Sequence, residues 1–182
     1  MSAARLPRRL GASVVALALV AAIAGCTAGV NRTTFPPLGS SPAPVGEATA
    51  QTRQRIAGAL GAVGLQVVDA NRAYRPPEGP LLAAAPRSVL QATLPDDPGA
   101  GFIVIYALAS EQAAEVAATD HAAYIATGNG RINYPFDAHF VLRVDGATVV
   151  FFSWSPGATT DTRTHLVEEA LVTVGSAVQI PS

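Results

Sequence analysis

The chain has 182 residues, of which 49% are hydrophobic and only 14% are charged, and its formal net charge is −1. This length fits one domain with short appendages, and the near-neutral charge argues against nucleic-acid binding through bulk basicity. A single cysteine excludes an intramolecular disulfide and cannot build a zinc site alone.

The first 25 residues have the pattern of a signal peptide. Residues 1–9 carry three arginines and no acid, and residues 10–24 form the uncharged apolar run LGASVVALALVAAIA. A basic start followed by such a run and small residues is typical of a secretory signal. The run is shorter than the roughly 20 residues that span a bilayer, so a permanent transmembrane helix is the weaker interpretation.

This segment ends in Ile23, Ala24, Gly25 and Cys26. The ending resembles the lipobox of bacterial lipoproteins, in which an aliphatic residue, a small residue and Gly or Ala precede the cysteine. The resemblance covers residues 1–26 and implies that Cys26 is diacylated and becomes the mature N-terminus, with the domain on the extracytoplasmic side of the cell membrane. Two acyl chains give stable attachment where one is marginal. The alternative is an ordinary signal peptide that ends in a chance cysteine.

Residues 26–46 are predicted to form the lipidated cysteine and a flexible tether, and residues 47–182 a single domain. The tether sequence TAGVNRTTFPPLGSSPAPVG is rich in Pro, Gly, Ser and Thr and has no apolar period. Such a segment buries too little surface to offset its ordering entropy. Removing residues 1–25 leaves nine arginines against 13 acids, a net charge of −4. Membrane attachment is therefore expected to depend on the lipid and not on basic residues.

The domain is predicted to alternate helices with strands. Apolar residues at helical spacing and turn residues at the ends predict helices over 48–63, 111–127 and 161–174. Alternating or continuous apolar runs predict strands over 65–70, 88–94, 102–108, 139–144, 147–154 and 177–180. Residues 71–86 are predicted to be a loop because of their prolines.

The strongest local signal is Asp145-Gly146 between two apolar runs, which predicts a type I′ hairpin. One face of that hairpin is predicted to be wholly apolar and to include Leu142 and Val149. The run FIVIYAL at 102–108 is apolar on both faces, which suits a central strand covered on both sides.

The predicted fold class is α+β, an antiparallel sheet with helices packed on one face. The order over residues 102–180 matches the ferredoxin-like β-α-β-β-α-β arrangement, preceded by an N-terminal helix and two additional strands. One conflict stays open at this point. The strand at 88–94 and the terminal strand at 177–180 both require the same edge, beside 102–108.

No catalytic, metal or cofactor site is predicted. His121, His139 and His165 lack the spacing of metal-binding motifs, and His121 and His165 are interpreted as solvated helix surface beside acids. No nucleophile elbow or phosphate-binding loop is present among the motifs of the sequence.

The candidate ligand-binding residues are arginines and aromatic residues near loops. Arg72, Tyr74 and Arg75 lie in the long 71–86 loop, and long loops are often functional. Arg143 and Trp154 lie on the second face of the predicted hairpin. Together they could form an apolar floor with arginine donors for an anionic or amphipathic ligand, or for a protein partner. The blander alternative is that Arg143 reaches solvent from an edge strand and Trp154 packs under the loop.

The sequence therefore favours a non-catalytic binding or accessory protein at the cell envelope. The expected partners are the membrane, through acyl chains on Cys26, and a protein or second copy of the chain through the sheet; no nucleic acid is expected. One alternative is an exported enzyme with dispersed catalytic residues, which requires convergence of at least two side chains from the set His121, His139, His165, Asp161 and Ser155. A structural envelope protein is the other alternative. No family resemblance is identified for the domain itself.

Overall fold

The computed structural model describes residues 46–181, so the predicted signal peptide, Cys26 and most of the predicted tether lie outside the described residues. The helices are α1 (Glu47–Ala62), α2 (Pro80–Ala84), α3 (Glu111–Ala126), α4 (Gly128–Arg131) and α5 (Thr164–Leu171). The strands are β1 (Val67–Asp69), β2 (Arg87–Ala92), β3 (Phe102–Ala107), β4 (His139–Asp145), β5 (Thr148–Trp154) and β6 (Ser176–Ala177).

All six strands form one sheet in the order β1-β2-β3-β5-β4-β6, and every neighbouring pair is antiparallel. The α+β class with an antiparallel sheet is therefore confirmed. The central strands β3 and β5 carry the most apolar sequences, FIVIYA and TVVFFSW. Strands buried on both faces are expected to be near-continuously apolar.

Helices cover both faces of the sheet, so the prediction that they pack on one face is wrong. On one face, α1 and α5 pack with alternate residues of the strands, including Ile103, Ile105 and Phe152. On the other face, α3 packs with the intervening residues, including Val104 and Phe151. Successive side chains of a strand point to opposite faces, so a strand that is apolar throughout needs cover on both sides.

The ferredoxin-like strand order is not confirmed, because β6 pairs with β4 and not with β3. The edge of β3 is taken by β2, which pairs with it over Arg87–Gln91. β6 contributes only two residues, whereas β2 is six residues long and separated from β3 by a short connection. The pairing of β2 with β3 is longer and joins segments that are closer in sequence, so β2 and not β6 occupies this edge of β3.

The hairpin between β4 and β5 forms where the sequence predicts it, with a different turn. Asp145 pairs with Thr148, so the turn residues are Gly146 and Ala147. Gly146 has φ +57°, and no residue other than glycine has positive φ among the described residues. This backbone fits a type II′ turn and not the predicted type I′. The register differs by two residues, which leaves each side chain on its predicted face.

The two longest helices, α1 and α3, have 16 residues each. The predicted start of α3 is confirmed, because the Ser110 hydroxyl accepts a hydrogen bond from the Ala113 N–H at 3.2 Å.

Within residues 46–181, no helix combines the length and the apolar character that crossing a membrane requires.

Candidate functional site

A pocket of about 300 Å³ opens at one end of the sheet. Phe102 at the start of β3 and Trp154 at the end of β5 contribute to it, together with segments 74–77, 133–138 and 155–159. The hairpin turn at Gly146 and Ala147 lies at the opposite end of β5. Four separate parts of the chain, 74–77, 100–102, 133–138 and 153–159, therefore meet at this end of the sheet.

Three kinds of residue line the pocket. The aromatic residues are Tyr74, Phe102, Tyr134 and Trp154, and the hydroxyl and amide residues are Asn133, Ser153, Ser155 and Thr159. The remainder are small residues or prolines: Pro77, Ala100, Gly101, Pro135, Ala138 and Ala158. Within the described part of the chain, this lining contains no charged residue and no Val, Leu, Ile or Met.

The aromatic walls are held by specific contacts. The Tyr134 hydroxyl donates to the Pro77 carbonyl, and the Trp154 indole N–H donates to Glu168 on α5 at 2.7 Å. The Tyr74 ring stacks on Phe102 with centroids 4.4 Å apart. A pocket whose rings are fixed before binding loses less conformational entropy when a ligand arrives.

The segment after β5 is fastened to the start of β4. The Ser155 hydroxyl donates to Asp137 at 2.5 Å, and the Gly157 N–H donates to the same carboxylate at 2.7 Å. These hydrogen bonds stabilise the charged form and lower the pKa of Asp137, with the Ser155 hydroxyl as the larger cause. The carboxylate therefore fixes the Ser155 side of the pocket.

Three of the five predicted ligand-binding residues lie at the pocket. Tyr74 and Trp154 line it. Arg72 lies beside the lining: its guanidinium is 4.6 Å from the Phe102 ring centroid and donates to the Gly99 carbonyl. Tyr74 from the loop and Trp154 from the hairpin therefore line the same pocket.

Arg143 lies elsewhere, at the end of α5. Its Nε donates to the Val174 carbonyl at 2.8 Å, and its Nη2 donates to the Gly175 carbonyl at 2.6 Å. Partial burial lowers the pKa of Arg143 from its usual value. Carbonyls at a helix C-terminus lack partners within the helix, so this arginine satisfies backbone acceptors just beyond α5.

Arg75 also points away from the lining, into a buried ionic cluster around Glu78. The Glu78 side chain is only 1% exposed. It accepts hydrogen bonds from Arg75 at 3.0 Å, from Arg87 at 2.7 Å and from the Tyr106 hydroxyl at 2.7 Å. Burial, followed by the Glu78 carboxylate, raises the pKa of Tyr106. Through this cluster, the loop that contains Tyr74 is held against β2 and β3.

The chain matches no family model, no curated protein and no solved structure. The chemistry of the pocket and of the sequence is therefore the basis for assigning a function.

The side chains that the enzyme alternative requires each contact other groups. Ser155 binds Asp137, and His139 is hydrogen-bonded to Glu168. The Asp161 carboxylate accepts from Arg163, which is the main reason that its pKa is lowered. Among the hydrogen bonds of the described residues, none joins two members of the set His121, His139, His165, Asp161 and Ser155. Nor do three His, Asp or Glu residues within 46–181 form a group that could hold a metal ion.

His121 is fully buried, so its interpretation as solvated helix surface is wrong. It lies on the same stripe of α3 as the buried Ala117, Ala118 and Ile125. Its Nδ1 accepts a hydrogen bond from the Gly79 N–H at 3.2 Å, and its ring meets Phe151 edge to face at 4.6 Å. Its Nε2 has no hydrogen-bond partner among the described residues. Burial lowers the pKa of His121 to about 4.

Sequence reasoning missed Glu78 and, as a wall of the pocket, Tyr134. A signal for Glu78 existed, because two arginines flank it within nine positions and an isolated buried acid requires cationic partners. The hydrogen bond from Tyr106 to Glu78 could not be predicted from the sequence, because Tyr106 lies on β3 and only the tertiary fold brings it to Glu78.

Replacing Glu78 by glutamine tests the ionic cluster. The amide keeps the size of the side chain but removes the charge that the two arginines face. We expect Glu78→Gln to lower the free energy of unfolding by roughly 1.5–3 kcal/mol, the range for hydrogen bonds to charged groups, and to speed proteolysis within residues 71–86. Glu115→Gln, at an exposed position of α3, is the control. Equal stability of the two variants in urea denaturation would contradict the anchoring role.

The buried His121 predicts a specific loss of stability in acid. Because its pKa in the folded state lies below the usual value, the neutral ring contributes stability that is complete above about pH 6.5 and is lost as the pH falls towards 4. The expected loss between pH 7 and pH 5 is about 2 kcal/mol. His121→Asn, whose Oδ1 can accept from the Gly79 N–H, should remove this part of the pH dependence.

Urea denaturation at a series of pH values measures the effect. His165→Asn, at an exposed helical position, should leave the pH dependence of the wild-type protein intact. If His121→Asn and the wild-type protein lose the same free energy between pH 7 and pH 5, the assignment to His121 is wrong.

Proposed function

We propose that this chain is a lipoprotein of the cell envelope whose domain binds a small ligand in the pocket at the end of the sheet, without catalysing a reaction on it. The observation that carries this proposal is the pocket with fixed aromatic walls. Concave sites with apolar or aromatic walls and a few polar groups are the usual form of small-molecule sites.

The contacts around the pocket support a binding role over simple packing. Tyr134, Trp154 and Ser155 each use a polar group to bind a neighbouring segment, and each also presents surface to the pocket. The pocket is open to solvent and its aromatic walls are held in place, which is the form that small-molecule sites usually take.

The lipobox resemblance at residues 23–26 supports attachment to the membrane, and the position of α1 is compatible with it. Thr52 of α1 donates to Asp145 at 2.6 Å, so the first turns of the helix lie at the hairpin turn. The pocket opens at the other end of the sheet. Gly46, at the start of α1, therefore lies towards the end of the domain that is remote from the pocket.

Attachment is tested by replacing the cysteine. In a bacterial host supplied with labelled palmitate, we expect the wild-type chain to incorporate label and to be shortened by cleavage before Cys26. Cys26→Ser should incorporate no label and keep the size of the precursor, because the thiol that accepts the lipid is absent. Ser40→Ala, in the predicted tether, is the control. Labelling of Cys26→Ser at the wild-type level would rule out this anchor.

Ligand binding is tested on the mature lipidated protein purified from its native membrane. Native mass spectrometry should detect a small molecule that leaves with the wild-type protein, and Ser153→Leu should lose it because the larger side chain fills the pocket. Ala57→Leu adds the same side chain to an exposed position of α1, on the other face of the sheet, and should retain the molecule. A molecule retained by Ser153→Leu, or absent from all three proteins, would argue against the proposed binding function.

A further inference from the structure

The pocket differs in chemistry from both hydrophobic cores of the domain. Most buried residues of both cores are Leu, Ile, Val or Phe, and the core on the α3 side also contains alanines and Tyr106. The part of the pocket lining that the structure describes has no aliphatic side chain larger than alanine or proline. A fatty acyl chain is best covered by flexible aliphatic side chains that follow its contour, so this lining is poorly matched to an acyl ligand.

The pocket also lacks the charge that an anionic ligand requires. No Lys, Arg or His is among its lining residues within 46–181. The two nearby arginines both donate to backbone carbonyls: Arg72 to Gly99, and Arg131 to Pro135 and Phe136. Their guanidinium groups thus hold the loops at the mouth in place. Because no cationic side chain is among the described lining residues, a carboxylate or phosphate in the pocket would lose hydration without a direct ion pair in return.

The remaining features match a ring with an apolar face and a polar edge. Tyr74, Tyr134 and Trp154 contribute aromatic residues to the lining, and the face of an aromatic ring is electron-rich and attracts weakly positive C–H groups. The hydroxyls of Ser153 and Thr159 can each donate and accept a hydrogen bond. A sugar ring presents both surfaces, because its axial C–H groups form apolar patches and its hydroxyls form the rim.

From this combination we propose that the ligand is a neutral carbohydrate, with one sugar ring in the pocket. The proposal rests on the binding function proposed above and specifies its ligand class. The volume of about 300 Å³ is at the lower limit of typical ligand pockets. One ring of a longer glycan therefore fills the site, and the rest of the glycan lies outside the mouth.

The experiment uses the mature lipidated protein in phospholipid nanodiscs, which avoids detergents with sugar headgroups. Trp154 is the single tryptophan of the chain and lines the pocket, so its fluorescence reports occupancy. An array of neutral glycans identifies binders, and titrations then compare the best binder with maltotriose, a trimer of N-acetylglucosamine, decanoate and inorganic phosphate. We expect saturable binding of a neutral saccharide and none of decanoate or phosphate.

Variants locate the binding. Tyr134→Leu removes an aromatic face and is expected to weaken saccharide binding about tenfold, within the range for loss of one stacked ring. Ser153→Leu, which fills the pocket and leaves Tyr134 intact, should abolish the fluorescence change even if Tyr134→Leu fails to fold. Ala57→Leu should bind within twofold of the wild-type protein.

Three results would overturn the carbohydrate proposal: no binder on the array, saccharide binding unchanged in Ser153→Leu, or pocket-dependent binding of decanoate or phosphate instead. These results are separable from failure of the binding function itself. If native mass spectrometry finds a molecule of another class that Ser153→Leu loses, the pocket binds a ligand and only its assignment as a carbohydrate is wrong.

Discussion

Burial of both faces of β3 and β5 is the constraint on which the rest of the domain depends. Alternate residues of β3, such as Ile103 and Val104, belong to different cores, so neither side of the sheet can be left to solvent. Two helical layers are the consequence, with α1 and α5 on one face and α3 on the other. Each buried residue of this size contributes on the order of 1.5–3 kcal/mol relative to exposure, which makes covering both faces more favourable than any local preference of the connecting segments.

The pocket lies where this cover ends. At the start of β3 and the end of β5 the helices give way to loops, and the side chains change from aliphatic to aromatic and hydroxyl-bearing. Loops at this end of the sheet bury few apolar side chains, so polar contacts are needed to hold them in place. Glu78 does this for one wall and Asp137 for another. The ionic cluster around Glu78 and the pocket are therefore parts of one arrangement, in which charged groups hold the loops and uncharged groups line the pocket.

Local pattern predicted the longer elements well and their partners less well. It missed two short helices: α2 (Pro80–Ala84), inside the predicted 71–86 loop, and α4 (Gly128–Arg131). The apolar run at 102–108 and the Asp145-Gly146 turn were enough to locate the central strand and the hairpin. The hairpin faces were also right although its register differed by two residues, because an even shift preserves the side on which Leu142 lies. Two segments that are distant in sequence, β2 and β6, compete for the edge of β3. A short stretch of sequence does not contain both, so it cannot predict which of them pairs there.

For the candidate site too, the sequence predicted individual residues better than their arrangement. Tyr74 and Trp154 could be selected from the sequence because long loops and hairpin ends concentrate binding residues. Their proximity depends on the pairing of β3 with β5, and the exclusion of Arg143 depends on two carbonyls beyond α5. The prediction for His121 was wrong because it relied on the acidic residue next to His121 in sequence. The helical spacing of His121 from Ala117 and Ala118 would have predicted burial. Periodicity over the whole helix was the better guide to burial.

The pairing of β3 with β5 also bears on how the protein reaches its working form. These strands are separated along the chain by α3, α4 and β4, whereas β2–β3 and β4–β5 join neighbours in sequence. Long-range contacts carry a larger loop-closure cost and slow the folding of a domain. The two local hairpins are thus expected to form before they dock, and docking is the step that brings Phe102 and Trp154 to one cavity. The pocket would then form only with the last cooperative event of folding, and an incompletely folded domain would lack it.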